Sequence, residues 1–145
     1  MAKQHVFVYG TLRAGEINDI GRAAARHGIA EPRFIGAAAV RGQLFDFGSY
    51  PGLVPDEASS LVRGEVYQID SALVPVLDEI EEVYPGVEGL FRAQQMTVAV
   101  DGRELPCLFY PVAAGAVASR TRIESGDWVE YRLACDALPG VKYGN

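Results

Sequence analysis

The sequence predicts an α+β fold in which a mixed, mainly antiparallel, barrel-like sheet carries short helices on its flank. Six strand-like runs predict the sheet, at 6–9, 34–40, 43–47, 61–69, 94–100 and 105–112, separated by Gly, Pro, Asp and Ser punctuation. Helical signals are confined to a few short stretches, and one longer crossover interrupts otherwise short turns. At 145 residues and 49% hydrophobic content, the chain fits one compact domain, 1–145, with no internal repeat or linker. Such a domain can bury roughly 70% of the surface that its unfolded form exposes.

The first run, Val6-Phe7-Val8-Tyr9, leads directly into Gly10-Thr11-Leu12-Arg13, so an apolar strand opens onto flexible, hydrogen-bonding backbone. Glycine just past a strand lets peptide N–H groups approach a ligand with no Cβ in the way, and Thr11 adds a hydroxyl and another donor. An ordinary turn is the plain alternative. Residues 17–27 hold alanines and arginines that favour a helix, which Gly21 and Gly28 keep short. Tyr50-Pro51-Gly52 reads as a tight loop, either a simple turn or one in which Gly52 lets a chain or ligand come close.

The clearest helix spans 71–82, where Ser71 or Asp70 can cap and Leu73, Val76, Leu77 and Ile80 fall on one buried face. Pro75, at the edge of the first turn, starts the regular hydrogen-bonded part a residue or two later. Tyr110, ending a strand before Pro111, could aim its hydroxyl into a pocket or pack with a wet tip. Asp127 can cap a last short helix over 129–138, stopped by Pro139-Gly140, with Trp128 filling a core gap and 141–145 forming a loose tail.

A net charge of −6 argues against a nucleic-acid partner, which normally requires a basic patch, and favours small-molecule chemistry. No apolar stretch approaches the roughly 20 residues of a membrane span. Met1-Ala2-Lys3-Gln4 leads straight into the first strand without an apolar signal region, so a cytoplasmic protein is expected. Cys107 and Cys135 read as free thiols. His5 and His27 lie far apart with no cysteine or acidic spacing pattern beside them, so no metal and no cofactor are expected. Nothing in the sequence speaks to oligomeric state.

The stretch Leu77-Asp78-Glu79-Ile80-Glu81-Glu82 puts four carboxylates into five positions at a helix C-terminus, where the helix dipole disfavours negative charge. Crowding of like charge at that end suits a carboxylate that accepts and returns protons near neutral pH. Glu81 follows Ile80 and lies on the border of the buried face, whereas Glu79 and Glu82 lie farther round and should meet water. A solvated acidic helix end is the alternative reading.

Together these features resemble the γ-glutamylcyclotransferase-like superfamily, whose members carry a Tyr-Gly-Ser/Thr-Leu strand end and later a Leu-Asp-x-x-Glu segment. Here those are Tyr9-Gly10-Thr11-Leu12 and Leu77-Asp78-Glu79-Ile80-Glu81. Gly42-Gln43-Leu44-Phe45-Asp46, Tyr50-Pro51-Gly52 and Val62-Arg63-Gly64-Glu65-Val66-Tyr67 resemble further elements of the family, so the likeness runs from about Val6 through Trp128. Two departures stand out: Glu82 where Gly often follows the catalytic glutamate, and Leu90-Phe91-Arg92 where Tyr-x-Arg is usual.

The resemblance implies an enzyme that cyclises a γ-glutamyl group to 5-oxoproline, releasing an amine or amino acid by acyltransferase/lyase-type intramolecular chemistry. Glu81 is then the general acid/base, and Tyr9, Gly10, Thr11, Leu12, Gly52 and Tyr110 are the candidate substrate-binding residues. Because the nucleophile belongs to the substrate, no Ser-His-Asp set, metal or phosphate loop is needed. Arg13 could hold an anionic group or lie exposed, and Asp78 could orient the helix end. The alternative is a non-catalytic small-molecule-binding module that keeps the family pocket.

Overall fold

β1 (Lys3–Val8) lies inside the sheet, and the computed structural model shows why it is apolar from Val6 to Val8 and runs into a buried Tyr9. The structure describes residues 3–16, 19–48, 50–82 and 93–137, apart from the side chains at 81, 82, 136 and 137. Strand side chains alternate between faces, and here both faces are covered. Phe7 and Tyr9 join Val40, Leu53, Val66 and Trp128 in one core cluster. Val6 and Val8 join Ile20, Ile69, Leu73 and Leu77 in another.

β1 is flanked by β4 (Leu61–Asp70), with which it runs antiparallel, and by β6 (Arg103–Phe109), with which it pairs in parallel at Val6 and Leu108. With β2 (Arg33–Asp46), β3 (Pro51–Pro55) and β5 (Gln94–Val100), the strand order is β3-β2-β4-β1-β6-β5, and β7 (Thr121–Arg122) pairs with β2. All pairings except β1–β6 are antiparallel. The mixed, mainly antiparallel sheet expected from the sequence is therefore present. It curls strongly: a Cβ built on Gly36 of β2 would lie 2.9 Å from Val100 Cγ2 of β5, although the two strands are well separated in the strand order.

Three differences from the sequence reading have physical causes. The runs 34–40 and 43–47 are one strand, because β2 changes partner instead of ending: Arg41 is its last residue paired with β4, and Gly42 its first paired with β3. A Cβ on Gly42 would meet Leu53 Cδ1 at 2.7 Å, so the glycine permits the close approach of β3 rather than a break. Pro51 and Gly52 lie in β3, paired with Asp46 and Phe45, rather than in a loop. The turn precedes them: Gly48 adopts φ +98°, its N–H donates to Asp46 Oδ1 at 2.6 Å, and Phe47 N–H donates to Tyr50 C=O at 3.0 Å. Finally, β7 is too short to leave a sequence pattern.

α1 (Ile20–Arg26) begins where Asp19 accepts the N–H groups of Gly21 and Arg22, three residues later than the expected start. Asp70 caps a 3₁₀ turn at Ser71–Leu73 by accepting Ala72 N–H, and this turn runs into α2 (Val74–Glu82). Pro75 sits in the first turn of α2, where its missing N–H has no intrahelical acceptor to lose. α3 (Trp128–Ala137) is capped by Asp127, which accepts Glu130 N–H at 3.1 Å. The expectations for Leu90-Phe91-Arg92 and for a loose tail at 141–145 fall outside the described residues.

Candidate active site

The strand end behind the site is held by its tyrosine. Tyr9 Oη donates to the Tyr110 carbonyl at 2.7 Å and accepts Leu53 N–H at 3.1 Å, tying the ends of β1 and β6 to β3. The next residue packs against the same strand: a Cβ on Gly10 would lie 2.6 Å from Pro51 Cγ. Part of the glycine signal at position 10 is thus protein packing, since the space beside its Cα is filled by the proline ring. Gly52 is similar, with Phe47 Cε1 and the Val112 methyls 2.6 and 3.0 Å from its would-be Cβ.

After Gly10 the chain turns. Gly10 C=O accepts Arg13 N–H and Leu12 C=O accepts Ile20 N–H, each at 3.0 Å. Thr11 and Leu12 are buried. The hydrogen bonds described for this turn engage its carbonyls, and none among the described residues takes up the N–H of Gly10 or Leu12. Backbone donors gathered at such a turn suit an anion or a developing oxyanion.

Tyr110 connects this turn to α2. Its carbonyl accepts Tyr9, while its own hydroxyl donates to Asp78 Oδ1 at 2.6 Å, so a single residue joins the end of β1 to the later turns of α2. Leu77, fully buried, seats the helix beside this contact. Glu81 follows Asp78 three residues later on the helical backbone of α2, and its side chain lies outside the described residues.

The chain beyond the turn is fixed by charge, which the sequence reading missed. Arg13 is not a surface arginine: its side chain is 14% exposed, with Nε donating to Glu65 Oε2 at 3.1 Å and Nη1 to Asp127 Oδ1 at 2.9 Å. Two carboxylates thus surround the cation considered as an anion holder. Burial alone would raise the Asp127 carboxyl, but the N–H of Glu130 and the Arg13 guanidinium hold it below the ordinary carboxylate range. Glu16, 5% exposed, accepts Trp128 Nε1 at 3.1 Å and both Nε and Nη2 of Arg132, at 3.0 and 2.6 Å. A carboxylate so buried requires this satisfaction. The available signal was the four-residue spacing of Trp128 and Arg132, which places both on one face of α3.

Among the described residues no cluster of His, Cys, Asp or Glu could hold a metal ion, and none of their helices is long and apolar enough to cross a membrane. Both cysteines are free.

Comparison with known proteins agrees with this architecture. The chain is 30% identical over 126 residues to the gamma-glutamylcyclotransferase family protein ytfP of Citrobacter rodentium, covering 86% of this chain and 95% of that protein. The crystal structure of YkqA from Bacillus subtilis matches with a TM-score of 0.67 and 26% identity over 95% of this chain, which spans only 44% of that one. An AIG2-like protein from Mus musculus shares the fold over 100% of this chain and 97% of its own, with a TM-score of 0.72 and 24% identity. The family model described as gamma-glutamyl cyclotransferase, AIG2-like matches residues 6–130, from within β1 into α3. On the strength of that match, the chain belongs to the gamma-glutamyl cyclotransferase, AIG2-like family.

Proposed function

We propose that the protein is a γ-glutamyl cyclotransferase that needs no cofactor. The α-amine of a γ-glutamyl compound attacks its own γ-carbonyl carbon. A C–N bond forms to close the five-membered ring, the γ C–N bond breaks, and a proton moves from the α-nitrogen to the departing amine. The products are 5-oxoproline and an amine or amino acid. Glu81 carries the proton, and the amides of Gly10, Thr11 and Leu12 receive the substrate carboxylate or the oxyanion, each such donor being worth ~3 kcal/mol in the transition state. The α-ammonium titrates near pH ~8 in peptides, so a carboxylate beside it can accept its proton and return one to the departing amine. The partner is a small γ-glutamyl molecule, with neither nucleic acid nor membrane involved, and the reaction belongs in the cytoplasm.

The observation that carries this reading is the Tyr9–Tyr110–Asp78 connection, with bonds of 2.7 and 2.6 Å. It couples the strand end bearing the amides to the helix that carries Glu81, and the requirement of the chemistry is that one small molecule reach both. Family membership supports the same assignment. The test is Glu81→Gln, nearly isosteric but unable to accept the proton. We expect release of 5-oxoproline from a panel of γ-glutamyl amines, γ-glutamyl amino acids and glutathione to fall by at least about 10³-fold, with the melting temperature unchanged. Full turnover by that variant removes Glu81 from its role. Binding of the panel without turnover by the wild type identifies a ligand-binding module instead.

A further inference from the structure

The strand Val62-Arg63-Gly64-Glu65-Val66-Tyr67 has no part in the reaction described above, yet it supports the turn on which that reaction depends. Glu65 makes contacts at both oxygens: Oε1 accepts Ala14 N–H at 3.1 Å and the Tyr67 hydroxyl at 2.8 Å, and Oε2 accepts Arg13 Nε at 3.1 Å. Its side chain is 15% exposed. Gly64 permits this arrangement, because a Cβ there would overlap the Val8 carbonyl and the Phe7 ring and force β4 away from the end of β1. Arg13 in turn reaches Asp127 at the start of α3, so the segment after Leu12 is held from two sides.

We infer that Glu65 is a positioning residue for the substrate: by holding Arg13 and Ala14 it fixes the orientation of the amides at residues 10–12, and it thereby sets affinity without taking part in proton transfer. The inference rests on the reading of that turn as the substrate-binding turn. Tyr67 belongs to the same device, since its hydroxyl donates to the oxygen that accepts Ala14. In this role the amides hold the substrate carboxylate, which is gripped alike in ground state and transition state, so donors misplaced around it raise KM and leave kcat largely intact.

The experiment compares Glu65→Ala and Tyr67→Phe with the wild type, using the member of the γ-glutamyl panel that the wild type turns over fastest. Ile69→Val, a core change on the same strand, serves as a control for lost stability alone. The expected result for Glu65→Ala is a rise in KM of roughly tenfold with kcat within about threefold and an unchanged pH profile. Tyr67→Phe should move KM in the same direction by a smaller factor, and Ile69→Val should lower the melting temperature without moving KM. Should Glu65→Ala fail to fold, Tyr67→Phe decides. An unchanged KM in the folded variants overturns the inference, as does a collapse of kcat with a shifted pH profile, which would make Glu65 a proton carrier. A wild type that turns over nothing in the panel overturns the cyclotransferase reading and this inference together, whereas an active wild type with unaltered KM in the variants overturns this inference alone.

Discussion

At Gly10 one missing carbon lets two parts of the chain touch. Adding it would put a Cβ 2.6 Å from Pro51 Cγ and 2.8 Å from Cδ, and a proline ring held in β3 cannot swing aside as a flexible side chain could. Gly10→Ala should therefore push the strand end off β3, with a loss of about 1–3 kcal/mol in stability by chemical denaturation. Release of 5-oxoproline should fall more steeply than stability does, because the amides beside position 10 move with it. Unimpaired turnover in this variant would show that the turn tolerates displacement. The sequence made the glycine conspicuous but not its neighbour. A Gly after an apolar strand looks the same whether the vacant space belongs to a ligand or to a proline about forty positions later. Gly52 does let the chain come close, as one reading held, with Phe47 and Val112 against it, but it does so from a strand where a loop had been expected.

The loop after β1 depends on α3. Asp127 caps that helix and binds Arg13, while Arg132 and Trp128, one turn apart, share Glu16. Burial opposes the charge on Asp127, but the Glu130 N–H and the Arg13 guanidinium outweigh it and hold the group low; at Asp19, cap of α1, the N–H groups of Gly15, Arg22 and Gly21 do the same. A carboxyl depressed in the folded state contributes stability that is complete above its unfolded pKa and disappears as pH falls through the folded value. Melting temperature should thus stay level from about pH 7 to 5 and drop below about pH 4. Asp127→Asn keeps an acceptable cap but loses the charge beside Arg13, so it should melt lower at neutral pH and show a shallower acid limb. Circular dichroism melts across that range measure both. The caps were legible, since Asp127 and Asp70 precede helices at the expected places. Glu16 was not: its partners lie 112 and 116 residues away, and a lone glutamate in a loop carries no local sign of burial.

Across the molecule, alternation and punctuation were enough to find most strands and the α+β class, but not the way in which they join. The parallel β1–β6 pair and the change of partner within β2 depend on contacts that no local pattern encodes. One consequence of the curled sheet can be measured with thiol reagents. Cys107 is fully buried, and burial pushes its thiol up to about 11, whereas Cys135 on α3 is half-buried. Near pH 8 one cysteine should label readily in the native protein, and the second only at the rate at which the whole sheet opens. Two thiols labelling at one fast rate would show that the sheet opens locally.

The Arg13–Asp127 ion pair also constrains the order of biosynthesis. Its two members stand 114 residues apart, and at roughly 5–20 residues per second the arginine is made about 6–23 seconds before its aspartate. The turn after β1 therefore waits unclasped on the nascent chain until translation has reached the opposite side of the same clasp.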